Sequence, residues 1–416
     1  MAGNRGPLDG FSPKRNMPPP SFSEGRNKMV NFSFAANKKI IFGWGKSSDL
    51  ITLLPEDNGM ILFLTGRSVR ETTYFETLSA ALGEKRFNIE FVRISGEPSP
   101  ETINDITASF RDKSVRCVLA LGGGSVLDAG KAVSAMLCEK GKIEDYLEGV
   151  GNKTPSGEKI PFIALPTTAG TGSECTKNAV ISRPGPGGFK KSLRHDNYIP
   201  DITIIDPKWT ESLPTQIAAS CGMDAFSQLL ESYLSTEASP LTDSLAKTGL
   251  ENFFTSFSRM LEGNASDKDR ENISLGAALS GLTLANAGLG TVHGIAAVLG
   301  GLYTIPHGSA CGILMPSVMR QTFTALIDRN PTHPSLQKAT DLGKFLKGNN
   351  EISTENAVLT LISQLDLWAD QASLPSLKEY GIKEKDLKDV AELAGNKNNP
   401  YSFSTIEILE ILENCY

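Results

Sequence analysis

Histidine is scarce in this 416-residue chain, with only His195, His293, His307 and His333. Charge is missing altogether from the 47 residues between Ile273 and Met319, and two of the four histidines lie there, each followed by glycine. Basic clusters are missing too. The 41 Lys and Arg are outnumbered by 47 Asp and Glu, giving a net charge of −6 with no Lys/Arg block. A dedicated nucleic-acid surface is therefore not expected, because phosphate contacts need clustered positive charge. Cys117, Cys138, Cys175, Cys221, Cys311 and Cys415 show neither CxxC nor zinc-finger spacing. They read as reduced thiols of a reducing, cytoplasmic compartment.

Long apolar runs are also absent. A membrane-spanning helix needs about 20 predominantly apolar residues. The uncharged stretch is broken by Asn286, His293, Pro306, His307, Pro316 and many glycines, so no membrane span is expected. The N-terminal "MAGNRGPLDGFSPKRNMPPPSFSEGRNK" has no apolar core of a secretory signal, and Asp9 disfavours a transit peptide. Its Pro, Gly, Ser and charges predict a flexible tail over residues 1–29.

From residue 30 to 209, short β-branched runs alternate with helical stretches: "KIIFG", "MILFLTG", "FNIEFVRI", "VRCVLALGGGS", "IPFIALPTTAGTGSE" and "DITIIDP". Strands separated by helices predict a mainly parallel sheet covered on both faces. From 210 to 416 the strand signal fades. "QIAASCGMDAFSQLLESYLS" and "TENAVLTLISQLDLWADQ" carry apolar residues at helical spacing, which predicts an all-helical second domain. No internal repeat is visible.

Two glycine loops follow strands. "LALGGGSVLDAGK" places Gly122, Gly123 and Gly124 between a strand and a helix expected to open at Ser125. Glycines admit close backbone approach, and a helix N-terminus attracts anions through free N–H groups and its dipole. Ser125 either caps that helix or binds a phosphate oxygen; Asp128 accepts from the loop or from a ligand. The loop is neither GxGxxG nor a Walker A motif. "LPTTAGTGSE" offers short hydroxyls at Thr167, Thr168, Thr171 and Ser173 for a second edge of the same ligand, or as helix caps.

In the helical half, "GMDAFSQ" sets Asp224 and Gln228 four apart, on one helical face. Asp224 alone reads as helix N-terminal electrostatics. His293 and His307 alone read as core histidines. Together the three make an Asp/His/His set, which with an open position suits a Lewis-acid metal.

The motifs "GGGSVLDAGK", "PTTAGTGSE", "GMDAFSQ", "VHGIAAVLG" and "IPHGSACGILMP", in that order, resemble the iron-containing (group III) alcohol dehydrogenase family over about residues 32 to 400. The resemblance implies a Rossmann-like α/β domain joined to an all-α metal domain, the fold shared with dehydroquinate synthase. It also implies hydride transfer between a nicotinamide and a small alcohol, aldehyde or ketone, in a homodimer or larger assembly. Gly123, Gly124, Ser125 and Asp128 match its pyrophosphate loop; Thr167, Thr168 and Thr171 match its second cofactor loop. Lys190, with Lys191 as the competing assignment, matches a lysine near the nicotinamide ribose. Asp224, His293 and His307 match three ligands of Fe²⁺ or Zn²⁺, and their catalytic role follows from that.

The sequence departs from the family twice. Gln228 replaces the histidine of DxxxH, and Ala297 replaces the second histidine often found in VHGxxH. A Gln carbonyl is a poor partner for iron or zinc, so Gln228 is read as a weak ligand or as a holder of metal-bound water. A metal-independent reductase of the same fold, or an inactive nucleotide-binding module, is the alternative these departures leave open. The turn after the second strand, Gly66, Arg67 and Ser68, lacks the acid that selects a ribose 2′-hydroxyl. It favours NADP(H) over NAD(H), with Arg67 or Ser68 on the 2′-phosphate.

Overall fold

The β-branched runs of the first half assemble into one parallel sheet. The computed structural model describes residues 31–55, 59–85, 87–183 and 188–416; the expected tail, 1–29, lies outside the described residues. In chain order the strands are β1 (Lys39–Phe42), β2 (Met60–Thr65), β3 (Ile89–Arg93), β4 (Val115–Gly122), β5 (Phe162–Pro166), β6 (Asn178–Arg183), β7 (Phe189–Arg194) and β8 (Ile202–Ile205). Six of them pair in the order β1-β8-β5-β4-β2-β3, each neighbour parallel. Strands β2, β4 and β5 are almost wholly buried. That is why they read as continuous apolar runs rather than alternating ones.

Helices α1 (Thr73–Glu84), α2 (Pro100–Phe110) and α3 (Gly124–Met136) cover the sheet. Separate apolar clusters form on its two faces, one around Val118, Phe162 and α3, the other around Phe63, Leu121 and α1. Helix α3 lies close to the strands because Gly130 has no side chain. A Cβ there would come within 2.8 Å of both Ala120 Cβ and the Phe162 ring.

After β3 at one edge the chain crosses to β4 on the far side of β2. The strand order reverses between β2 and β4, and the crevice beyond the carboxyl ends of such strands is where open α/β sheets bind ligands. Antiparallel strands β6 and β7 form a separate two-stranded unit with Ser182 opposite Lys190. The sequence reading found no strand there.

The second half is helical: α4 (Thr215–Leu234), α5 (Pro240–Leu261), α6 (Asp267–Ala287), α7 (Thr291–Leu302), α8 (His307–Arg329), α9 (Pro334–Lys347), α10 (Thr354–Ala372), α11 (Leu387–Leu393) and α12 (Thr405–Glu413). Reciprocal Ser caps at Ser239, Ser266 and Ser404 set the starts of α5, α6 and α12. Helix α4 is central, and every residue from Gly222 to Leu234 is buried. Asp224, Gln228 and Glu231 are therefore polar groups inside a core, where each requires a partner. Among the described residues no single helix is long and apolar enough to cross a membrane. Helices α6 and α7 reach that mark only as a pair, bent by 98°.

Candidate active site

Four donor groups converge beneath the N-termini of α7 and α8. Asp224 comes from α4, His293 from α7, and His307 and Cys311 from the first turns of α8; one ligand atom of each lies within 4.8 Å of all the others. Asp224 Oδ1 is 3.3 Å from His293 Nε2 and 3.8 Å from His307 Nε2. The Cys311 sulfur is 3.7 Å from His293 Nε2 and 3.8 Å from His307 Nε2. Asp224, His293 and Cys311 are buried, whereas the His307 side chain keeps 31% of its surface. The cluster thus opens to one side, past His307.

The glycines after the two histidines have a steric purpose. A Cβ on Gly294 would sit 1.7 Å from the Gly395 carbonyl oxygen, and one on Gly308 would sit 2.1 Å from that of Ser220. Backbone approach at these points seats α7 against the Gly395 segment and the start of α8 against α4, the helix that carries Asp224; the two imidazole centroids lie 5.4 Å apart.

Glu231 supports His293 from behind. Its Oε2 is 2.7 Å from His293 Nδ1, and its Oε1 accepts from the Val292 N–H at 2.6 Å. A carboxylate at Nδ1 fixes the proton there and leaves the Nε2 lone pair aimed into the cluster. Burial alone would raise the Asp224 carboxyl, but His307 and His293 hold it below the usual range. Burial likewise works to raise the Cys311 thiol, and the two imidazoles draw it below its ordinary value.

The donor set fits a divalent metal. Donors bonded at about 2.0–2.3 Å in a tetrahedral shell lie roughly 3.3–3.8 Å from one another. The N···O and S···N separations above fall in that range, and most exceed good hydrogen-bond length. Gln228 is placed differently. Its Oε1 accepts from Ser280 Oγ at 2.7 Å, and its amide turns to Asp224. Ala297, one turn beyond His293, is exposed.

The cofactor-type loops meet at the strand reversal. Gly66 follows β2 and packs beside Val126 of α3. Gly123 is the N-cap of α3, and no side chain caps that end. Ser125 therefore lies inside the helix rather than opening it, a correction to the expected start by one residue. A helix end without a side-chain cap can turn its first N–H groups to an anion. A Cβ on Gly124 would come within 2.7 Å of Thr171 Oγ1, and one on Gly123 within 3.4 Å of Thr168, so the two loops are stacked. Thr167 N–H donates to the Gly122 carbonyl at 3.0 Å.

The second loop also touches the metal half. A Cβ on Gly170 would meet Cys221 of α4 at 2.8 Å, and one on Gly172 would meet the Gly281 backbone of α6 at 2.5 Å. The Thr167–Thr171 loop is thus seated one turn before Asp224. Gly172, with left-handed φ of 62°, is the N-cap of the short turn Ser173–Cys175, and Thr171 Oγ1 accepts from the turn's first N–H, that of Ser173, at 3.3 Å.

Asp128 is engaged by the protein itself. It accepts from Ser173 Oγ at 2.5 Å and from Val180 N–H at 3.1 Å, tying α3 to the second loop and to β6. Lys131 joins it, donating to the Ser173 carbonyl, Thr176 Oγ1 and the Asn178 carbonyl. Burial lowers that ammonium to about 8, and burial pushes the neighbouring Glu174 carboxyl up to about 7.

Lys190 pairs with Glu97 at 2.5 Å and lies within electrostatic reach of Asp128, while Glu97 lies within reach of His307. Lys191 is exposed. Arg67 is largely exposed and pairs with Glu71 at 3.1 Å, beside exposed Ser68. Sequence reasoning missed Cys311 and Glu231. The available signal was spacing: Cys311 is one turn after His307, and Glu231 is two turns after Asp224.

A nucleotide-type parallel sheet set against a helical domain with a buried carboxylate–imidazole–thiol cluster defines a metal-dependent nicotinamide oxidoreductase. The chain belongs to the iron-containing alcohol dehydrogenase family. A family model described as iron-containing alcohol dehydrogenase matches residues 37–207, and one described as the C-terminal part of the Fe-containing alcohol dehydrogenase family matches 218–416. The chain is 30% identical to Long-chain-alcohol dehydrogenase 1 of Geobacillus thermodenitrificans (strain NG80-2) over 379 residues, covering 88% of this chain and 91% of that one. It is 30% identical to the 1,3-propanediol dehydrogenase of Citrobacter freundii over 381 residues, covering 89% and 92%. The solved structure of a 1,3-propanediol oxidoreductase matches with a TM-score of 0.81 at 26% identity, over 93% of this chain and 100% of that one. This chain is an oxidoreductase acting on CH–OH groups.

Proposed function

We propose that the chain interconverts a small alcohol and its carbonyl, with NADP(H) on the three strand-end loops and a divalent metal held by Asp224, His293 and His307. The observation that carries this reading is the convergence of those three donors on one buried point, adjoining the Thr167–Thr171 loop. When bound, the metal supplies Lewis acidity toward the substrate oxygen, and the nicotinamide donates or accepts the hydride.

The remaining roles belong to the chain. Gly123, Gly124 and Ser125 offer backbone N–H groups to the pyrophosphate, and Thr168 and Thr171 add hydroxyls along it. Arg67 and Ser68 meet the 2′-phosphate, and Lys190, steadied by Glu97, serves the ribose near the reaction centre. Asp128 acts through Ser173 by fixing the loop. Substrate enters past His307, the exposed side of the cluster. Gln228 holds Asp224 through its amide. Ala297 carries no proton relay, so proton exchange proceeds through solvent at the open side.

A homodimer or larger assembly in a reducing, cytoplasmic compartment belongs to the same proposal. Strand β1 is a sheet edge that exposes Ile40, the kind of edge another copy can cover, and all six cysteines are free. Sedimentation of the purified protein checks the assembly.

The test is turnover of a panel of short aldehydes with NADPH, before and after chelation and after return of Fe²⁺ or Zn²⁺. Activity lost to chelator and restored by metal is expected. Unchanged turnover by metal-free protein would favour the metal-independent reductase, and no turnover with cofactor bound would favour the inactive module.

A further inference from the structure

Cys311 is the donor that sequence and family expectation leave out. It is fully buried, and the polar neighbours of its sulfur are the two imidazoles, at 3.7 and 3.8 Å. By contrast, the buried Cys117 thiol points to the Val118 carbonyl and the part-buried Cys415 thiol to that of Ile313. Cys311 also lies one helical turn after His307, so both side chains leave α8 on the same face.

Gln228 occupies the position where the family resemblance expects a fourth ligand. Its oxygen is committed to Ser280 at 2.7 Å, and the group it turns to Asp224 is an amide, which donates protons and binds no cation. Without Cys311 the set would have three protein donors. With it there are four, from three helices, at mutual distances suited to a single ion. A thiolate and a carboxylate together also match the charge of a dication, with both imidazoles neutral.

We propose that Cys311 is a metal ligand, completing an Asp224–His293–His307–Cys311 set that takes zinc in preference to harder dications. The inference rests on the metal reading of this site. Its chemistry follows from softness: a thiolate selects zinc and other thiophilic ions over Mg²⁺ and Mn²⁺. The exposed His307 side would be left for the substrate oxygen.

The experiment is a Co²⁺ titration of the metal-stripped full-length protein, followed by absorption spectroscopy on wild type and Cys311→Ser. The expected result is one Co²⁺ per chain with both the visible bands of low-symmetry cobalt and a near-ultraviolet thiolate-to-cobalt charge-transfer band. Cys311→Ser should keep the visible bands and lose the charge-transfer band. Its zinc affinity, read by competition with a chromogenic chelator, should fall by at least about tenfold, and its Mn²⁺ affinity by less. Wild-type cobalt binding with visible bands alone would overturn Cys311 as a ligand while leaving the metal reading intact. No stoichiometric cobalt binding would overturn both. The wild-type spectrum decides even if the variant folds poorly.

Discussion

Glu231 holds His293 by the nitrogen that faces away from the cluster: Glu231 Oε2 is 2.7 Å from His293 Nδ1, inside a core where both residues are buried. The same carboxylate accepts the Val292 N–H at 2.6 Å, so it fixes both the ring and the first turn of α7. Glu231→Gln keeps the volume but pairs an amide NH₂ with one of two donors. Zinc affinity of that variant should fall by about tenfold to a hundredfold, the usual cost of losing a carboxylate behind a ligating histidine. Competition against a chromogenic chelator measures it, and an affinity unchanged within about twofold would show that Glu231 does not prepare the ring.

Glycines that look alike in sequence should respond in opposite directions. Gly294→Ala places its Cβ 1.7 Å from the Gly395 carbonyl oxygen, a backbone atom that cannot rotate away. It should destabilise the fold by about 1–3 kcal/mol or more and weaken metal binding by displacing α7. Gly301→Ala, later in α7, meets nothing within 4 Å and should stabilise by up to about 1 kcal/mol. Urea unfolding of the two variants distinguishes them, and equal effects would contradict the close-approach account.

Glu174 makes the fold's stability depend on pH with a definite sign. Burial pushes its carboxyl from 4.5 to about 7. The folded chain therefore binds more protons than the unfolded chain between those values, and stability present below about pH 4.5 is lost as pH rises toward 7. Glu174→Gln removes that dependence. Relative to wild type it should gain about 3 kcal/mol across the window, with little change above it. Denaturant unfolding at pH 5, 6 and 7 measures the difference, and a constant difference across that range would contradict it.

Much of this architecture was legible because burial writes itself into sequence. The runs that became β2, β4 and β5 are apolar throughout since both faces are covered, and α4 carries helical spacing through its buried core. The paired β6 and β7 were not legible: "NAVISR" buries Ala179, Ile181 and Ser182 without an alternating apolar pattern, and "FKKSLR" buries only Leu193 while exposing Lys191 and Arg194. Position 311 was hidden differently. A lone cysteine gives no ligand signal until α8 brings it beside two imidazoles supplied by two helices. Asp128 looked free for a ligand because its partners, Ser173 and Val180, lie 45 and 52 residues away.

Arg67 tests cofactor choice. It lies in the turn after β2, where it forms an exposed pair with Glu71. Arg67→Ala should raise the KM for NADPH by about tenfold, the loss of one charge-assisted phosphate contact, and leave that for NADH nearly unchanged. Equal changes for the two cofactors would show that Arg67 does not meet a 2′-phosphate.

The most direct measurement is the metal content of tag-free protein, wild type and His293→Ala, after reconstitution with Fe²⁺, Zn²⁺ or Mn²⁺ and removal of excess ion. The account predicts close to one ion per wild-type chain and its loss in the variant, with thermal unfolding confirming that the variant is folded. Wild-type protein that retains no ion, or a folded variant that retains as much as wild type, would contradict it.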